Sequence, residues 1–420
     1  MKMITTQEAA KKWNISDRRV RTLCADGRVP GAVKTGKFYS IPADAVKPSG
    51  SSGRPGNKDN NDGNRWLKWD DEIIGVINKN GSVSFNAPDF NQVVALYTKG
   101  HSKWSPEQWS DFLSERLVSR DRRDIERILF RMGLSQYDVI RIAAVTRGMH
   151  PKDLLWIANS KTEQLCDVMT DVFSSVFRQR IDLTGDSIDT PEGYNIKRYG
   201  VYENKYGIYK QRINPLTTDV ESEIAVSLLA ELLGVPVCPA VRVDKDTIFS
   251  VFQYDFSNEY IVHFRRLFDG SRSDNEYQNL IDIRPQYRDD ITKMILLDFI
   301  TRQDDRHLSN MAIKISGSGE SFYALYDNGR SLFYEDTEET VQKAVTDPVA
   351  YATGFGYSGT YWDYAQTAIK DRGGLKGLIN LDINESAVMD VLKDAGFTGY
   401  RLNGVFEWIR KTIDMIRCIK

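Results

Sequence analysis

Residues 297–310 read LDFITRQDDRHLSN, and Asp327 follows them at the end of a second apolar stretch. Transfer of a γ-phosphate requires one carboxylate that faces the acceptor hydroxyl, together with oxygen ligands for the Mg²⁺ ion that neutralises the phosphates. Asp305 can supply the first group, and Asn310 with Asp327 can supply the oxygen ligands. Asp304 is a second candidate for the base, but the five-residue spacing to Asn310 favours Asp305. This segment therefore predicts a phosphoryl-transfer site.

The neighbours of this segment predict a firmly seated loop. The apolar run 295–300 predicts the end of a buried helix, because it lacks Gly and Pro. Residues 311–315 alternate like a strand, and 322–326 are the expected partner in a hairpin that turns at 317–319. Asp327 would then stand at the end of a strand, where its carboxylate can project into a cleft. Packed elements on both sides are what a catalytic loop needs.

Two motifs stand out in the sequence, Asp305-Arg306-His307-x-x-Asn310 and Tyr326-Asp327-Asn328-Gly329-x-Ser331-Leu332. In these motifs the chain resembles the HipA-like serine/threonine kinases, a bacterial branch of the protein-kinase and lipid-kinase superfamily. The resemblance implies that Asp305 is the catalytic base and that His307 braces the loop. It also implies that Asn310 and Asp327 bind Mg²⁺, with Asp327 as the main ligand. The expected fold is α+β and bilobal, protein-kinase-like, and the expected cofactors are ATP and Mg²⁺.

A kinase also needs a Lys on the ATP phosphates and a Glu that holds this Lys. Residues 206–210 form a short strand pattern that ends in Lys210. A helix with an apolar face follows, and its first turn carries Glu223 where the resembling family places its ion-pairing Glu. Glu221 is the alternative partner. A surface Glu that interacts with the helix dipole would explain the same residue without any role in ATP binding.

The loop that should cover the phosphates has no G-x-G-x-x-G motif. In HipA-like kinases the corresponding loop contains Gly and a phosphorylatable Ser seven residues before a Lys. Here Gly193 lies in the segment 187–197, and Thr190 stands seven positions before Lys197. We expect Gly193 to lie near ATP and Thr190 to be a site of autophosphorylation. An ordinary turn would account for the same residues.

Residues 1–48 resemble a winged helix-turn-helix of the excisionase or MerR type. Residues 5–8 form a capping box at the start of a first helix, a second helix is expected over 17–25, and a two-stranded wing over 33–41. Contacts to double-stranded DNA are expected from the second helix and the wing. The candidate residues are Arg18, Arg19, Arg21 and Lys37.

The charge distribution supports a DNA-binding role for this module. Residues 1–48 carry ten Lys and Arg against four Asp and Glu, a balance of +6 in a chain whose total is −2, so the remaining residues sum to −8. Such segregation is expected of a phosphate-binding module. The alternative is a basic helix that merely packs against the rest of the chain.

Composition divides the rest of the chain into four parts. Residues 49–64 are rich in Ser, Gly, Asn, Asp and Lys and predict a flexible linker. Residues 65–180 predict a mostly helical subdomain, which departs from the β subdomain of the better-known HipA proteins. Residues 181–262 are expected to resemble a kinase N-lobe, with adenine received near 252–254. Residues 263–420 are expected to resemble a helical C-lobe, with helices over 338–344, 361–370 and 402–419.

Length and composition limit the class of protein. A chain of 420 residues is long enough for two or three domains with cores of their own. No apolar run approaches the roughly 20 residues of a membrane span, and no secretory signal opens the sequence. These features predict a cytoplasmic protein without a membrane partner, and the resemblance implies a bacterial or phage origin. The four Cys residues are widely scattered, which argues against a zinc site or a disulfide framework.

The sequence therefore predicts a HipA-like serine/threonine protein kinase joined to a DNA-binding module. The resemblance implies a toxin-type growth regulator with a protein substrate and an antitoxin partner. A homodimer or paired DNA sites are also expected, because one small DNA-binding module makes few contacts. Two alternatives stay open: a non-enzymatic transcriptional regulator whose kinase-like body senses a ligand or dimerises, and a small-molecule phosphotransferase.

Overall fold

A computed structural model gives the structure of two compact units, Met1–Asp62 and Gly63–Lys420, and each is described by itself. It describes residues 3–13, 20–21, 23–24, 29, 31–35, 38–43, 45, 47, 64–169, 196–256, 258–268, 276–356 and 358–419.

The N-terminal unit combines helix with a small antiparallel sheet. The predicted capping box is present, since Thr5 N donates to Glu8 Oε2 at 2.7 Å and Glu8 N donates to Thr5 Oγ1 at 3.2 Å. The two wing strands lie where the sequence predicts them, and a first strand pairs with the second of them. The elements are β1 (Met3–Thr5), α1 (Thr6–Trp13), β2 (Val33–Thr35) and β3 (Phe38–Pro42), in the sheet order β1-β3-β2.

The second helix expected in this unit is seen in part. Val20, Arg21, Leu23 and Cys24 are helical. Burial separates their roles, because Arg21 is exposed whereas Val20, Leu23 and Cys24 lie in a small core. That core also contains Ala9, Ala10, Trp13, Val29 and Ile41.

The large unit begins with a five-stranded antiparallel sheet and helices. The mostly helical subdomain expected over 65–180 therefore needs correction: the expected helices occur, but so does a sheet that the sequence interpretation missed. The strands are β4 (Arg65–Trp69), β5 (Glu72–Ile77), β6 (Val83–Phe85), β7 (Lys103–Trp104) and β8 (Leu155–Ala158), in the order β7-β6-β5-β4-β8. The helices are α2 (Gln92–Thr98), α3 (Pro106–Ser114), α4 (Ile125–Arg131), α5 (Val139–Thr146) and α6 (Leu165–Met169).

A second antiparallel sheet follows, with one long helix. Gly207 packs closely against β12, since a Cβ at this position would clash with the backbone oxygen of Ser250 and stand 2.7 Å from the ring of Phe249. The helix ends at Gly234, whose φ of +72° favours glycine. The elements are β9 (Lys197–Tyr202), β10 (Lys205–Gln211), α7 (Asp219–Leu233), β11 (Ala240–Asp244) and β12 (Thr247–Val251), in the sheet order β11-β12-β10-β9.

The remaining residues form a three-stranded sheet and a group of helices. The strands are β13 (Glu259–His263), β14 (Ala312–Ser316) and β15 (Gly319–Phe322), in that order. The helices are α8 (Tyr277–Ile283), α9 (Arg288–Thr301), α10 (Glu338–Thr346), α11 (Tyr361–Arg372), α12 (Glu385–Asp394) and α13 (Gly399–Arg417), with 3-10 turns at Phe264–Leu267 and Pro285–Tyr287.

Two details of this region correct the sequence interpretation. The partner strand of β14 ends at Phe322, and Tyr323 N adds one further hydrogen bond to Ala312 O at 2.9 Å. Residues 324–326 are therefore not part of the hairpin, although Asp327 still follows them directly. The boundary expected between 262 and 263 falls inside β13, which pairs with β14. The three helices predicted near the C-terminus are present as α10, α11 and α13.

Helix α9 is the centre of this part of the molecule. Its residues from Met294 to Thr301 are all buried, and it packs against α11 and α13. A helix that is buried on every side is a rigid support. It ends at Arg302, with φ of +48°, and leads directly into the segment 303–310. Among the described helices, none combines the length and apolar character of a bilayer span.

Candidate functional site

The segment 303–310 is anchored by a buried ion pair. Arg306 Nε and Nη2 donate to the two carboxylate oxygens of Asp298, each at 2.9 Å. The side chains of Arg306 and Asp298 are almost completely buried. Burial raises the pKa of Asp298, and Arg306 opposes this effect. Tyr361 adds a hydrogen bond from its hydroxyl to Asp298 Oδ2 at 3.3 Å. The loop is thus fixed to the end of α9 and to α11.

The same guanidinium reaches the segment that contains Asp327. Arg306 Nη1 donates to the backbone oxygens of Asn310 at 3.0 Å and Tyr326 at 2.9 Å. Arg306 Nη2 also donates to Asn328 Oδ1 at 2.7 Å. One buried side chain therefore holds the two segments of the sequence motif together.

Asp305, Asn310 and Asp327 line one cavity of about 280 Å³. Asn310 Nδ2 donates to the backbone oxygen of Asp305 at 2.8 Å, which leaves the amide oxygen of Asn310 for a metal. Arg330 Nε lies 3.7 Å from Asp305 Oδ2. Burial raises the pKa of Asp305, and Arg330 opposes this. Asp304 has an exposed side chain and does not line the cavity, so the geometry favours Asp305.

His307 also lines this cavity. Its Nδ1 accepts a hydrogen bond from Ser309 N at 3.2 Å. Its backbone N donates to the oxygen of Asp305 at 3.1 Å. Both contacts are within the loop itself.

Lys210 and Glu223 form a close ion pair between β10 and α7. Both side chains are buried or nearly so, and Lys210 Nζ also donates to Asp327 Oδ1 at 3.1 Å. The alternative partner Glu221 instead binds Arg212, at 2.6 and 2.8 Å. The pair that the structure forms is therefore Lys210 with Glu223.

A second lysine, Lys197, binds Asp327 as well. Its Nζ donates to Asp327 Oδ2 at 2.9 Å, and the register of the β9–β10 hairpin places it directly opposite Lys210. Burial alone would raise the pKa of Asp327, but the two lysines hold it well below its usual range. In the sequence, Lys197 stands out only as the lysine seven positions after Thr190. Its role could have been found from the hairpin turn at 203–204, which fixes the register.

The other end of the cavity is apolar. Of the residues expected to receive adenine, Phe252 and Tyr254 line the cavity. Two backbone N–H groups of this segment are already hydrogen-bonded within the protein, since Phe252 N donates to Tyr206 O and Gln253 N donates to the Tyr323 hydroxyl, both at 2.9 Å. The cavity walls therefore offer shape and apolar surface for a planar ring, without these two backbone N–H groups. The apolar lining includes Ile208, Ile248, Phe252, Ile261 and Tyr326.

The oxygen donors suit Mg²⁺ better than a transition metal. Within the described part of the chain, no group of three His, Cys, Asp or Glu side chains is arranged to hold a metal ion. A carboxylate and an amide oxygen, from Asp327 and Asn310, match the way Mg²⁺ is usually held, with water and phosphate completing the shell.

Several predicted residues cannot be placed in this geometry. Thr190 and Gly193 lie outside the described residues, as do Arg18, Arg19 and Lys37. Most of the linker expected over 49–64 lies outside them too. Of the candidate DNA contacts, Arg21 is described, on an exposed helical position in the N-terminal unit.

No protein-family model matches the sequence, and no curated protein matches it. Among solved structures, the complex of HipA, HipB and operator DNA from the toxin–antitoxin system of Shewanella oneidensis MR-1 matches with a TM-score of 0.50 and 12% identity. The alignment covers 85% of this chain and 100% of that chain. The proinflammatory kinase CtkA of Helicobacter pylori matches with a TM-score of 0.43 and 14% identity, over 55% of this chain and 90% of that chain. The assignment of the fold does not depend on this second structure.

The chain has an α+β, kinase-like fold similar to that of HipA, and the predicted fold class is confirmed.

Proposed function

We propose that this protein is an ATP-dependent serine/threonine protein kinase of the HipA-like type. The observation that carries the proposal is the meeting of five side chains at one cavity: the Lys210–Glu223 pair, Asp305, Asn310 and Asp327. They come from one strand, one helix and two loops. Together they match the groups that phosphoryl transfer needs.

Asp305 is the proposed base. Its carboxylate lines the cavity, and its raised pKa brings its basicity closer to the working pH, which favours acceptance of the proton from the acceptor hydroxyl. The hydrogen bonds from Asn310 and His307 to its backbone oxygen keep the loop in one conformation.

Lys197 and Lys210 are the proposed phosphate ligands, and the apolar end of the cavity is the proposed adenine site. Asp327 and Asn310 would hold Mg²⁺, which supplies neutralisation of the phosphate charge. In the structure both lysines bind Asp327, so the lysines would exchange this carboxylate for phosphate oxygens while Asp327 turns to the metal. We therefore expect nucleotide and Mg²⁺ to bind together. Gly193 and Thr190 belong to the loop that we propose covers the phosphates, with Thr190 as the autophosphorylation site.

The proposed cellular role is that of a cytoplasmic, toxin-type growth regulator that binds DNA through residues 1–48. The solved HipA structure is a complex with HipB and operator DNA, which supports an antitoxin and DNA as partners. The +6 balance of residues 1–48 supports DNA contacts by Arg18, Arg19, Arg21 and Lys37. A homodimer and a protein substrate complete the proposal.

Incubation with radiolabelled ATP and Mg²⁺ tests the activity. We expect transfer of label by the wild type, and a loss of about 10²–10⁴-fold in Asp305→Ala, because a positioned base contributes this much. Asp327→Ala should lose at least as much. Asp304→Ala, one position from the proposed base, is the matched control and should stay active. Equal transfer by wild type and both site variants would contradict the assignment of the site.

The same assay separates the alternatives. ATP binding without transfer to any acceptor would favour a non-enzymatic regulator with a kinase-like body. Transfer of label to metabolites, with none to proteins in a lysate, would favour a small-molecule phosphotransferase.

A further inference from the structure

Gln303 connects the two catalytic segments through its side-chain amide. It is completely buried, two residues before Asp305. Its Oε1 accepts a hydrogen bond from the backbone N of Asp305 at 2.9 Å, and its Nε2 donates to the backbone oxygen of Asp327 at 3.3 Å. The orientation of the amide follows from its partners, because the first can only donate and the second can only accept.

The residue that Gln303 holds has an unusual backbone. Asp327 has a φ of +60°, a conformation that residues other than Gly seldom adopt and that persists only where the surroundings enforce it. Its side chain is held by Lys197 and Lys210, partners that nucleotide binding would remove. The bond from Gln303 to the backbone oxygen does not depend on those lysines.

Gln303 is itself fixed at its backbone. Its N donates to the oxygen of Asp298 at 2.9 Å, and its oxygen accepts a hydrogen bond from the hydroxyl of Thr353 at 2.8 Å. A short side chain with a fixed backbone acts as a spacer, so the separation of Asp305 and Asp327 follows from the length of this amide.

We infer that Gln303 is a positioning residue that sets the base and the metal-binding carboxylate at their working separation. The inference rests on the function proposed above and adds a residue to that site. Misplacement by about 1 Å can lower a catalytic rate about 10²-fold. Removal of the amide should therefore lower kcat much more than it raises the KM for ATP, because the apolar end of the cavity keeps its lining.

Two variants of similar side-chain length test the inference. Gln303→Met can make neither hydrogen bond. Gln303→Glu, when ionised, can accept from Asp305 N but cannot donate to Asp327 O. Gln366→Glu makes the same chemical change at an exposed position of α11 and is the control. Far-UV circular dichroism and thermal melting show whether each variant folds.

The first measurement is the affinity for Mn²⁺ in the presence of a non-hydrolysable ATP analogue, followed by electron paramagnetic resonance. We expect a loss of at least 10-fold in Gln303→Met and in Gln303→Glu, and no change in Gln366→Glu. The second is the rate of phosphate transfer, where kcat should fall about 10²-fold in Gln303→Met.

The pH dependence separates positioning from general support of the fold. Protonation of the buried Glu in Gln303→Glu restores a donor of the same shape, so its rate relative to wild type should recover as the pH is lowered. Gln303→Met should show no recovery. If Gln303→Met fails to fold, Gln303→Glu still decides the matter through its pH dependence and its Mn²⁺ affinity.

The outcomes distinguish this inference from the proposed function. Mn²⁺ affinity and kcat within twofold of wild type in both Gln303 variants would overturn the inference alone. If the wild type binds Mn²⁺ and nucleotide but transfers no phosphate, the proposed kinase activity fails while the Mn²⁺ affinities still test Gln303. Absence of Mn²⁺ binding by the wild type would overturn both.

Discussion

Arg306 illustrates how one buried charge can organise a site. It donates to the carboxylate of Asp298, to two backbone oxygens and to Asn328, so its hydrogen-bonding capacity is largely used inside the protein. A buried ion pair stabilises little relative to apolar residues, but loss of one partner leaves an uncompensated charge. The pair is therefore better understood as a device that fixes one conformation of the loop.

Arg306→Met should lower the free energy of unfolding by about 3–5 kcal/mol, because it leaves Asp298 buried without its partner. The double variant Asp298→Asn with Arg306→Met removes both charges and should cost less than the sum of the two single changes. Urea denaturation of the three variants and the wild type measures the difference. Simple additivity would show that the two residues do not act as a pair.

Lys197→Met should weaken the binding of Mg²⁺ and ATP. A hydrogen bond to a charged group contributes about 1.5–3 kcal/mol, which corresponds to an affinity loss of about 10- to 150-fold. Lys205→Met removes an exposed lysine of the same hairpin and should leave the affinity unchanged. Isothermal titration calorimetry with a non-hydrolysable analogue gives both values. Equal affinities for the two variants would remove Lys197 from the site.

The spacing of residues in the sequence identified those candidate site residues that lie close together along the chain. Asp305 and Asn310 belong to one loop, and Asp327 follows a strand, so a motif can describe them. Lys197 and Gln303 could not be found in this way. The first depends on the register of a hairpin and the second on a contact with a segment over 20 residues away.

Among the elements, β10 is confined by its neighbour β12. Gly207→Ala would place a methyl group against the backbone of Ser250 and the ring of Phe249, so the strands must separate. Overpacking of this kind typically costs about 1–3 kcal/mol. Gly317→Ala is the control, because a Cβ there meets nothing within 4 Å. Urea denaturation should show destabilisation in the first variant only, and equal midpoints would contradict this tight packing.

A buried ion pair between Arg116 and Asp153 lies next to β8, and Tyr97 of α2 adds a hydrogen bond to it. Asp153 accepts hydrogen bonds from Arg116 Nη2 at 2.8 Å, from the hydroxyl of Tyr97 at 2.7 Å and from Leu155 N at 2.8 Å. Burial would raise the pKa of Asp153, but Arg116 and Tyr97 more than offset this and lower it. A carboxyl whose pKa is lowered by folding stabilises the folded protein fully when the pH is above the pKa that it has in the unfolded chain. This stabilisation is lost as the pH falls through the lower pKa that it has in the folded protein.

Asp153→Asn should therefore destabilise the protein by about 3–5 kcal/mol at neutral pH, because Arg116 remains buried without its partner. The difference from wild type should shrink below about pH 4, where the wild type loses the same contribution. Asp111→Asn, an exposed change in α3, is the control. Urea denaturation over a range of pH measures the effect, and a difference that stays constant in acid would contradict the assignment of the pKa shift.

The sheet whose strand β8 follows Asp153 also shows why some elements escape prediction. Helices α3 to α5 carry apolar residues at regular helical spacing, which a sequence reveals. Strands β6 and β7 are only three and two residues long, too short for a period of two to be recognised. Strand β8 is buried on all four residues and so shows no alternation. Pairing with distant strands makes these segments β, and that information is not local.

For the whole molecule, the division into two units was more predictable than the phosphoryl-transfer site or the DNA-binding surface. Residues 48–63 lack large apolar side chains, and the structure separates its units at Asp62 and Gly63, within the linker expected over 49–64. Charge follows the same division, with +6 in residues 1–48 and −8 in the rest. By net charge, residues 1–48 should attract the phosphates of DNA, and the rest of the chain should repel them.

The full chain should bind duplex DNA with a strong dependence on salt. Replacement of Arg18, Arg19 and Arg21 together by Gln should weaken this binding and reduce the slope of log K against log salt by about 0.9 for each DNA phosphate that the protein no longer neutralises. The matched control replaces Arg120, Arg127 and Arg141 by Gln, which removes the same charge from exposed positions of the other unit. Fluorescence anisotropy of a labelled duplex of about 30 base pairs, titrated at several salt concentrations, gives both slopes. A reduction of the slope in the control equal to that in the N-terminal variant would show that general charge, and not the N-terminal unit, binds the DNA.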